Sequence, residues 1–221
     1  MDAPTVALQG YRFSVYTRIV RLVLEEKGVA YRRVEVNPFV AAAAPSLHPF
    51  GRVPVLVHGG FALYETGAIA RYIDAAFPGP PLVPQALRSL ARMAQVTAIV
   101  DNYGYWPLVR QVFSHRVFRP LAGEPFREDE IAAGLRAAVP VLAALEDIAA
   151  EALVLDGRAV TLADCHLAPM LDYFAAAPEG AAMLGGCAAL SAWWEAARVR
   201  PAFLRTDPGR PGGAGRDEGP G

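Results

Sequence analysis

Lysine is almost absent from this chain: of its 21 basic residues only Lys27 is a lysine and the rest are arginine. Beside so much alanine, that points to compositional bias rather than to function. Cysteine is nearly as scarce. Cys165 and Cys187 are the only two, with no C-x-x-C pair, which excludes a disulfide scaffold. Neither they nor the four histidines, His48, His58, His115 and His166, show ligand spacing, so no metal site is expected. Charge of one sign is missing as well. The formal net charge is −1, too small to make a field that gathers nucleic acid or anionic lipid. No apolar run reaches the roughly 18 residues of a membrane span, and Met1-Asp2-Ala3-Pro4 has no basic-then-apolar leader pattern. The expectation is a protein of the reducing cytoplasm with neither nucleic acid nor membrane as partner.

What is present is a globular composition. Hydrophobic residues make up 53% and charged residues 19% of 221 positions, enough chain and apolar content for two domains. Thr5 to Gln9 is a short apolar run ending at Gly10, which suits a buried strand. Ile19, Leu22 and Val23 recur at helical spacing, and Gly28 ends that helix. Tyr31 to Val36 alternates and predicts a strand parallel to the first. After a loop at 37–50 whose alanine run has weak helical character, Pro54 to Val57, Gly59-Gly60 and Phe61 to Tyr64 predict a hairpin. A helix with Ile69, Ala70, Tyr72 and Ile73 along one stripe follows. Phe77 to Pro84 carries four prolines in eight residues and cannot continue a helix. These boundaries predict a β-α-β-β-β-α domain over 1–78, a linker over 79–84, an all-helical domain over 85–206 and a disordered tail over 207–221. The helices are expected near 85–118, 127–152, 162–176 and 188–198, with kinks or breaks at Pro107, Pro140 and Pro169.

Three places in the first domain have chemical potential beside an ordinary structural role. Ser14, in the turn after the first strand, is either a helix cap or a hydroxyl that donates to a thiolate near helix amides. Tyr11 and Tyr16 offer rival hydroxyls in the same turn, and Arg18, one turn on, is either a source of positive potential or a surface residue. Val53-Pro54 opens a strand. A cis bond there would turn the Val53 backbone outward to pair with an extended peptide, whereas an ordinary trans proline would do nothing of the kind. Glu65-Thr66 stands where a strand meets a helix, with Thr66 able to cap and the helix amides able to receive a carboxylate. In the second domain, Thr161 to Asp164 has the spacing of a capping box, which accounts for it in full. Tyr103, Tyr105, Trp106 and Phe113 with Arg110 fit core packing for the most part, with some left to line an apolar pocket.

Taken in order, these stretches resemble the glutathione transferase superfamily, and most nearly its serine-using plant-type (phi) and related bacterial members. Ser14-Val15-Tyr16-Thr17-Arg18 resembles the active-site turn. His48-Pro49-Phe50-Gly51-Arg52-Val53-Pro54 resembles Asn-Pro-Phe-Gly-Gln-Val-Pro. Leu63-Tyr64-Glu65-Thr66-Gly67-Ala68-Ile69 resembles Leu-x-Glu-Ser-x-Ala-Ile. Thr161 to Asp164 matches the helical domain's capping motif, and Trp193-Trp194 with Arg200-Pro201 resembles its closing helix. The resemblance covers all but the tail. It implies a thioredoxin-like first domain, glutathione as co-substrate, an electrophilic and apolar second substrate, a homodimer and a detoxifying role.

The same resemblance implies residue roles. Ser14 would bond the glutathione sulfur, Val53 would pair its backbone with the cysteinyl unit, and Glu65 and Thr66 would hold the γ-glutamyl end. Arg52 would meet a ligand carboxylate. One departure stands out: the loop Phe39 to Pro45 is apolar where serine-type members usually carry a histidine or lysine. Two functions are therefore expected of such a chain, a glutathione transferase or related glutathione-dependent enzyme, and, as the alternative, a non-catalytic binding or assembly module on the same fold.

Overall fold

The structure is a computed structural model, and it describes residues 5–39 and 47–211. The alanine-rich stretch expected to form a weak helix, and most of the tail, lie outside these. The described chain divides into two units, one reaching to Leu82 and including Arg205–Pro208, the other running Val83–Leu204.

The first unit holds β1 (Val6–Gly10), α1 (Val15–Lys27), β2 (Arg32–Glu35), β3 (Val55–His58), β4 (Phe61–Tyr64) and α2 (Thr66–Ala76). The sheet order is β2-β1-β3-β4, with β1 parallel to β2 and antiparallel to β3, and β3 antiparallel to β4. Val6 and Leu8 of β1 are buried, as are Leu56 of β3, Ile19 and Val23 of α1, and Ile69 and Ile73 of α2. Gly59 and Gly60 both take positive φ (54° and 85°), as the two-residue turn between right-twisted strands requires. Gly10 has a different reason: a Cβ there would come within 2.2 Å of the Thr17 side chain, so the end of β1 passes too close to α1 for any other residue.

Long-range contacts fasten both ends of this unit. The Lys27 ammonium is buried and donates to the Asp74 carboxylate, the Asp74 carbonyl and the Pro80 carbonyl, each at 3.1 Å. Asp74 in turn accepts from the Leu82 amide at 2.8 Å. The sole lysine therefore holds the proline-rich segment down. At the other end Arg21 donates to the Thr206 and Arg205 carbonyls, at 3.0 and 3.1 Å, and Arg12 donates to the Pro208 carbonyl at 2.8 Å. Residues 207–211, placed in the tail on sequence grounds, are among those described, and Pro208 is buried.

In the second unit, α3 (Leu87–Ile99) continues into a wider, π-helical stretch, Val100–Phe118, that closes as α4 (Arg119–Leu121). Then come α5 (Glu128–Ala150), α6 (Leu162–Ala175), α7 (Pro178–Gly185), α8 (Ala188–Ala197) and α9 (Pro201–Arg205), whose last residue counts with the first unit. Of the kinks or breaks expected at Pro107, Pro140 and Pro169, breaks do not occur, since all three lie inside these elements. For Pro107 the π winding offers a reason, since it displaces the carbonyl that a proline ring meets in an α-helix. Phe113 is buried and stacked on Tyr173 at 4.2 Å between centroids, whereas Trp106 is 59% exposed and Tyr103 more so. The aromatic cluster thus splits between core and surface. Among the described residues no helix is long and apolar enough to cross a membrane.

Candidate functional site

The strand register assembles the site. Gln9 pairs with Val55, and Val55 pairs with Tyr64, which makes one row across three strands. Beyond that row, at the same end of the sheet, β1 leads into the turn that carries Ser14, β3 is entered from Val53-Pro54, and β4 leads into Glu65-Thr66. The N-termini of α1 and α2 begin there too. Residues spread over more than 50 positions are collected by three short strands. Two helix N-termini give their end of the sheet unpaired amides and partial positive charge.

Ser14 is the N-cap of α1, its Oγ accepting from the Thr17 amide at 3.2 Å. Its own amide donates to the Tyr11 carbonyl at 2.9 Å, closing the turn. A hydroxyl that accepts in a cap still has its proton to donate, so the two roles weighed for Ser14 are compatible. Arg18 is only 1% exposed, so the surface alternative is wrong: a guanidinium is buried one turn along α1 from Ser14. Sequence reasoning passed over Arg12. Its amide donates to Glu35 at 2.8 Å and its side chain to Pro208, which ties the turn before Ser14 to both β2 and the C-terminal strap.

The Val53–Pro54 bond is cis, with Pro54 buried, Val53 half-buried and Arg52 exposed on the same loop. The expectation for Thr66 needs correction. Thr66 is the first residue of α2 and buried, and the cap position belongs to Glu65, whose side chain makes no capping bond. Glu65 instead adopts φ 70°, ψ 115°, a region that side chains other than glycine avoid and that costs roughly 1–3 kcal/mol. Such strain collects at ligand sites, and here it leaves the Glu65 carboxylate 67% exposed beside the amides of α2.

His48 is the residue of this region that sequence reasoning missed. It is 5% exposed, its Nδ1 accepts from the Phe50 amide at 3.2 Å, and its Nε2 lies 4.0 Å from Glu65 Oε1. Burial pulls its pKa below the ordinary histidine value; Glu65 opposes that and Arg52 reinforces it. The only signal in the sequence was a histidine standing where the resembling motif has asparagine. Among the described residues, no three histidines, cysteines or acids gather as a metal would require. Burial and Glu146 push the Cys187 thiol pKa up, which lowers its thiolate fraction.

The fold is shared with known proteins to which this chain is similar. Residues 8–81 match the model of the glutathione S-transferase N-terminal domain. Over 90% of its length the chain is 30% identical to glutathione S-transferase 3 of Zea mays, covering 92% of that protein. It is 27% identical to a stringent starvation protein A homolog of Histophilus somni, over 88% of this chain and 86% of the other. The solved structure of a glutathione S-transferase III in apo form superposes with a TM-score of 0.80 at 31% identity, over 92% of this chain and 95% of that one. With a thioredoxin-like sheet unit followed by a helical unit, and with that likeness running nearly end to end, the chain belongs to the glutathione S-transferase family.

Proposed function

We propose that the protein is an enzyme that conjugates glutathione to an apolar electrophile. The observation that carries this is the row Gln9–Val55–Tyr64, which sets Ser14, Val53 and Glu65-Thr66 at one end of the sheet with two helix N-termini. In this reading Val53 pairs its backbone with the cysteinyl unit, as an extended peptide added beside β3 would require. Glu65 receives the α-ammonium of the γ-glutamyl end, the amides of α2 and Thr66 receive its carboxylate, and Arg52 meets the glycyl carboxylate. The sulfur then falls by Ser14.

The chemistry asked of the protein is electrostatic. A free thiol has a pKa of about 8.5, so a thiolate that dominates at neutral pH needs it lowered by about two units. That corresponds to about 2.7 kcal/mol of preference for the charged form. A hydrogen bond to a charged group contributes about 1.5–3 kcal/mol, so the Ser14 hydroxyl with the α1 amides and the buried Arg18 suffices. The thiol proton leaves to solvent. The thiolate then attacks the electrophilic carbon and forms the C–S bond, as a leaving group departs or a conjugated double bond takes up the charge. Peroxide reduction is open to the same thiolate.

The setting that goes with this activity is a homodimer in the cytoplasm that removes reactive small molecules. The similarity to a stringent starvation protein A homolog supports the alternative, a binding or assembly module without catalysis. Calorimetric titration with glutathione separates the two. Binding at millimolar concentration or tighter, together with turnover of a chromogenic electrophile, is expected. Absence of binding at several millimolar would leave the module.

A further inference from the structure

We propose that His48 is a positioning residue for ligand binding: its ring aims the Glu65 carboxylate at the α-ammonium of glutathione. The inference rests on the glutathione reading above and adds to it a residue outside the set expected to touch the ligand. Because Nδ1 accepts the Phe50 N–H, a neutral His48 carries its proton on Nε2. His48 Nε2 lies 4.0 Å from Glu65 Oε1, too far for a hydrogen bond but close enough for a charge–dipole attraction.

The placement leaves the ring little freedom to do otherwise. It is buried, it lies 4.9 Å between centroids from the ring of Tyr64, the residue just before Glu65, and its carbonyl accepts from the Gly51 amide at 2.9 Å. His48 therefore ties the loop leading to Pro54 to the strained corner between β4 and α2. Glu65 by contrast has a mostly exposed side chain with no capping bond to hold it. Without a partner its carboxylate would sample several rotamers, and the ligand would bear the entropy of choosing one. A fixed N–H beside it reduces that cost while leaving the negative charge intact for an ammonium. Arg52, the other charged group acting on His48, works against protonation of the ring and so keeps it a dipole rather than a cation.

The test uses two ligands, glutathione and glutaryl-cysteinylglycine, which lacks only the α-ammonium. Calorimetry compares wild type with His48→Met, which keeps the packing and removes the N–H, and His48→Gln, which keeps a donor. His48→Met is expected to weaken glutathione binding about three- to fivefold, the span of a single partly exposed charge contact, and to leave the analogue unchanged. His48→Gln should restore most of the loss, and in a Glu65→Gln background His48→Met should add nothing. Equal loss for both ligands would make His48 a mere loop tie and overturn the proposal, as would no loss for either. If wild type binds glutathione no better than the analogue, the assignment of Glu65 to the ammonium falls, and this inference with it.

Discussion

The Trp193 indole donates to Asp164 Oδ1 at 2.7 Å, on the same carboxylate whose other oxygen closes the capping box of α6. Asp164 Oδ2 accepts from the Thr161 amide at 2.8 Å and the Thr161 hydroxyl at 2.6 Å. One buried carboxylate thus caps a helix and pins α8 to it. Burial pushes its pKa up, and the bonds from Thr161 and Trp193 oppose that. Asp164→Ala would strand three buried donors and is expected to cost about 3 kcal/mol or more. Trp193→Phe removes one donor and should cost less. Thermal unfolding checks the order, at about 2–4 °C per kcal/mol for a chain of this size. A variant at Asp164 as stable as wild type would refute the account.

His166 makes the fold sensitive to acid. It is fully buried in α6, its Nδ1 donates to the Leu162 carbonyl at 3.0 Å, and desolvation lowers its pKa from 6.5 to about 4. The unfolded chain binds a proton at pH 6.5 that the native chain refuses until about pH 4. The stability is therefore whole above 6.5 and is lost as pH falls through that window, to about 3 kcal/mol in all. Urea unfolding at several pH values should show His166→Met losing less stability between pH 7 and 4 than wild type loses. Parallel profiles would exclude His166 as the cause.

Glu65 should trade stability against binding. Its φ of 70° suits glycine and strains other residues. Glu65→Gly is expected to gain about 1 kcal/mol of stability, the relieved strain less the added chain entropy. Glu65→Ala keeps the strain and should gain nothing. Both should weaken glutathione binding about tenfold or more, from a lost contact with a charged group. A Glu65→Gly protein no more stable than Glu65→Ala would mean the backbone there is relaxed.

Phe50 is 70% exposed in the loop before Gly51, with its ring edge toward Tyr64 at 6.5 Å. An apolar side chain so placed suits a two-fold interface, where one surface patch meets its copy. Light scattering is expected to give twice the chain mass of 23.6 kDa. Phe50→Ala should shift the equilibrium toward monomer at micromolar concentration. A wild-type monomer would sink the dimer, and an unchanged dimer in the variant would sink only this residue's part in it.

What could be read from the sequence was local. The Gly59-Gly60 turn, the Ser14 cap, the Gly28 stop and the Thr161–Asp164 box all appear as expected, because each is decided by residues within one turn of one another. Contacts between distant segments were not legible. Nothing in the neighbours of Lys27 foretells Asp74 and Pro80, and nothing near Arg21 foretells the return of Arg205 and Thr206. Thr66 looked like a cap because threonine favours that position. Glu65 holds it instead, through a backbone conformation that composition cannot announce. The helices α7 and α9 have only 8 and 5 residues, too few for an apolar period to stand out.

Ser14 is where catalysis should be lost without losing the ligand. Its Oγ already accepts the Thr17 amide, which leaves the hydroxyl proton for the sulfur. Ser14→Ala removes both, so the fold should lose about 1 kcal/mol of capping, and the bound thiol should gain about one to two pKa units. Turnover at neutral pH falls with the thiolate fraction, roughly 3- to 25-fold for such a shift upward from about 6.5. Glutathione affinity should change far less, because Val53, Glu65 and Thr66 hold the peptide in this reading. The competing hydroxyl is that of Tyr11, whose ring packs edge-on against Phe13 and Phe39. Ultraviolet absorbance of the thiolate, followed against pH for bound glutathione in wild type, Ser14→Ala and Tyr11→Phe, decides between them. A titration that moves in Ser14→Ala and stays put in Tyr11→Phe is expected. The reverse would hand the sulfur to Tyr11 and leave Ser14 as the cap of α1.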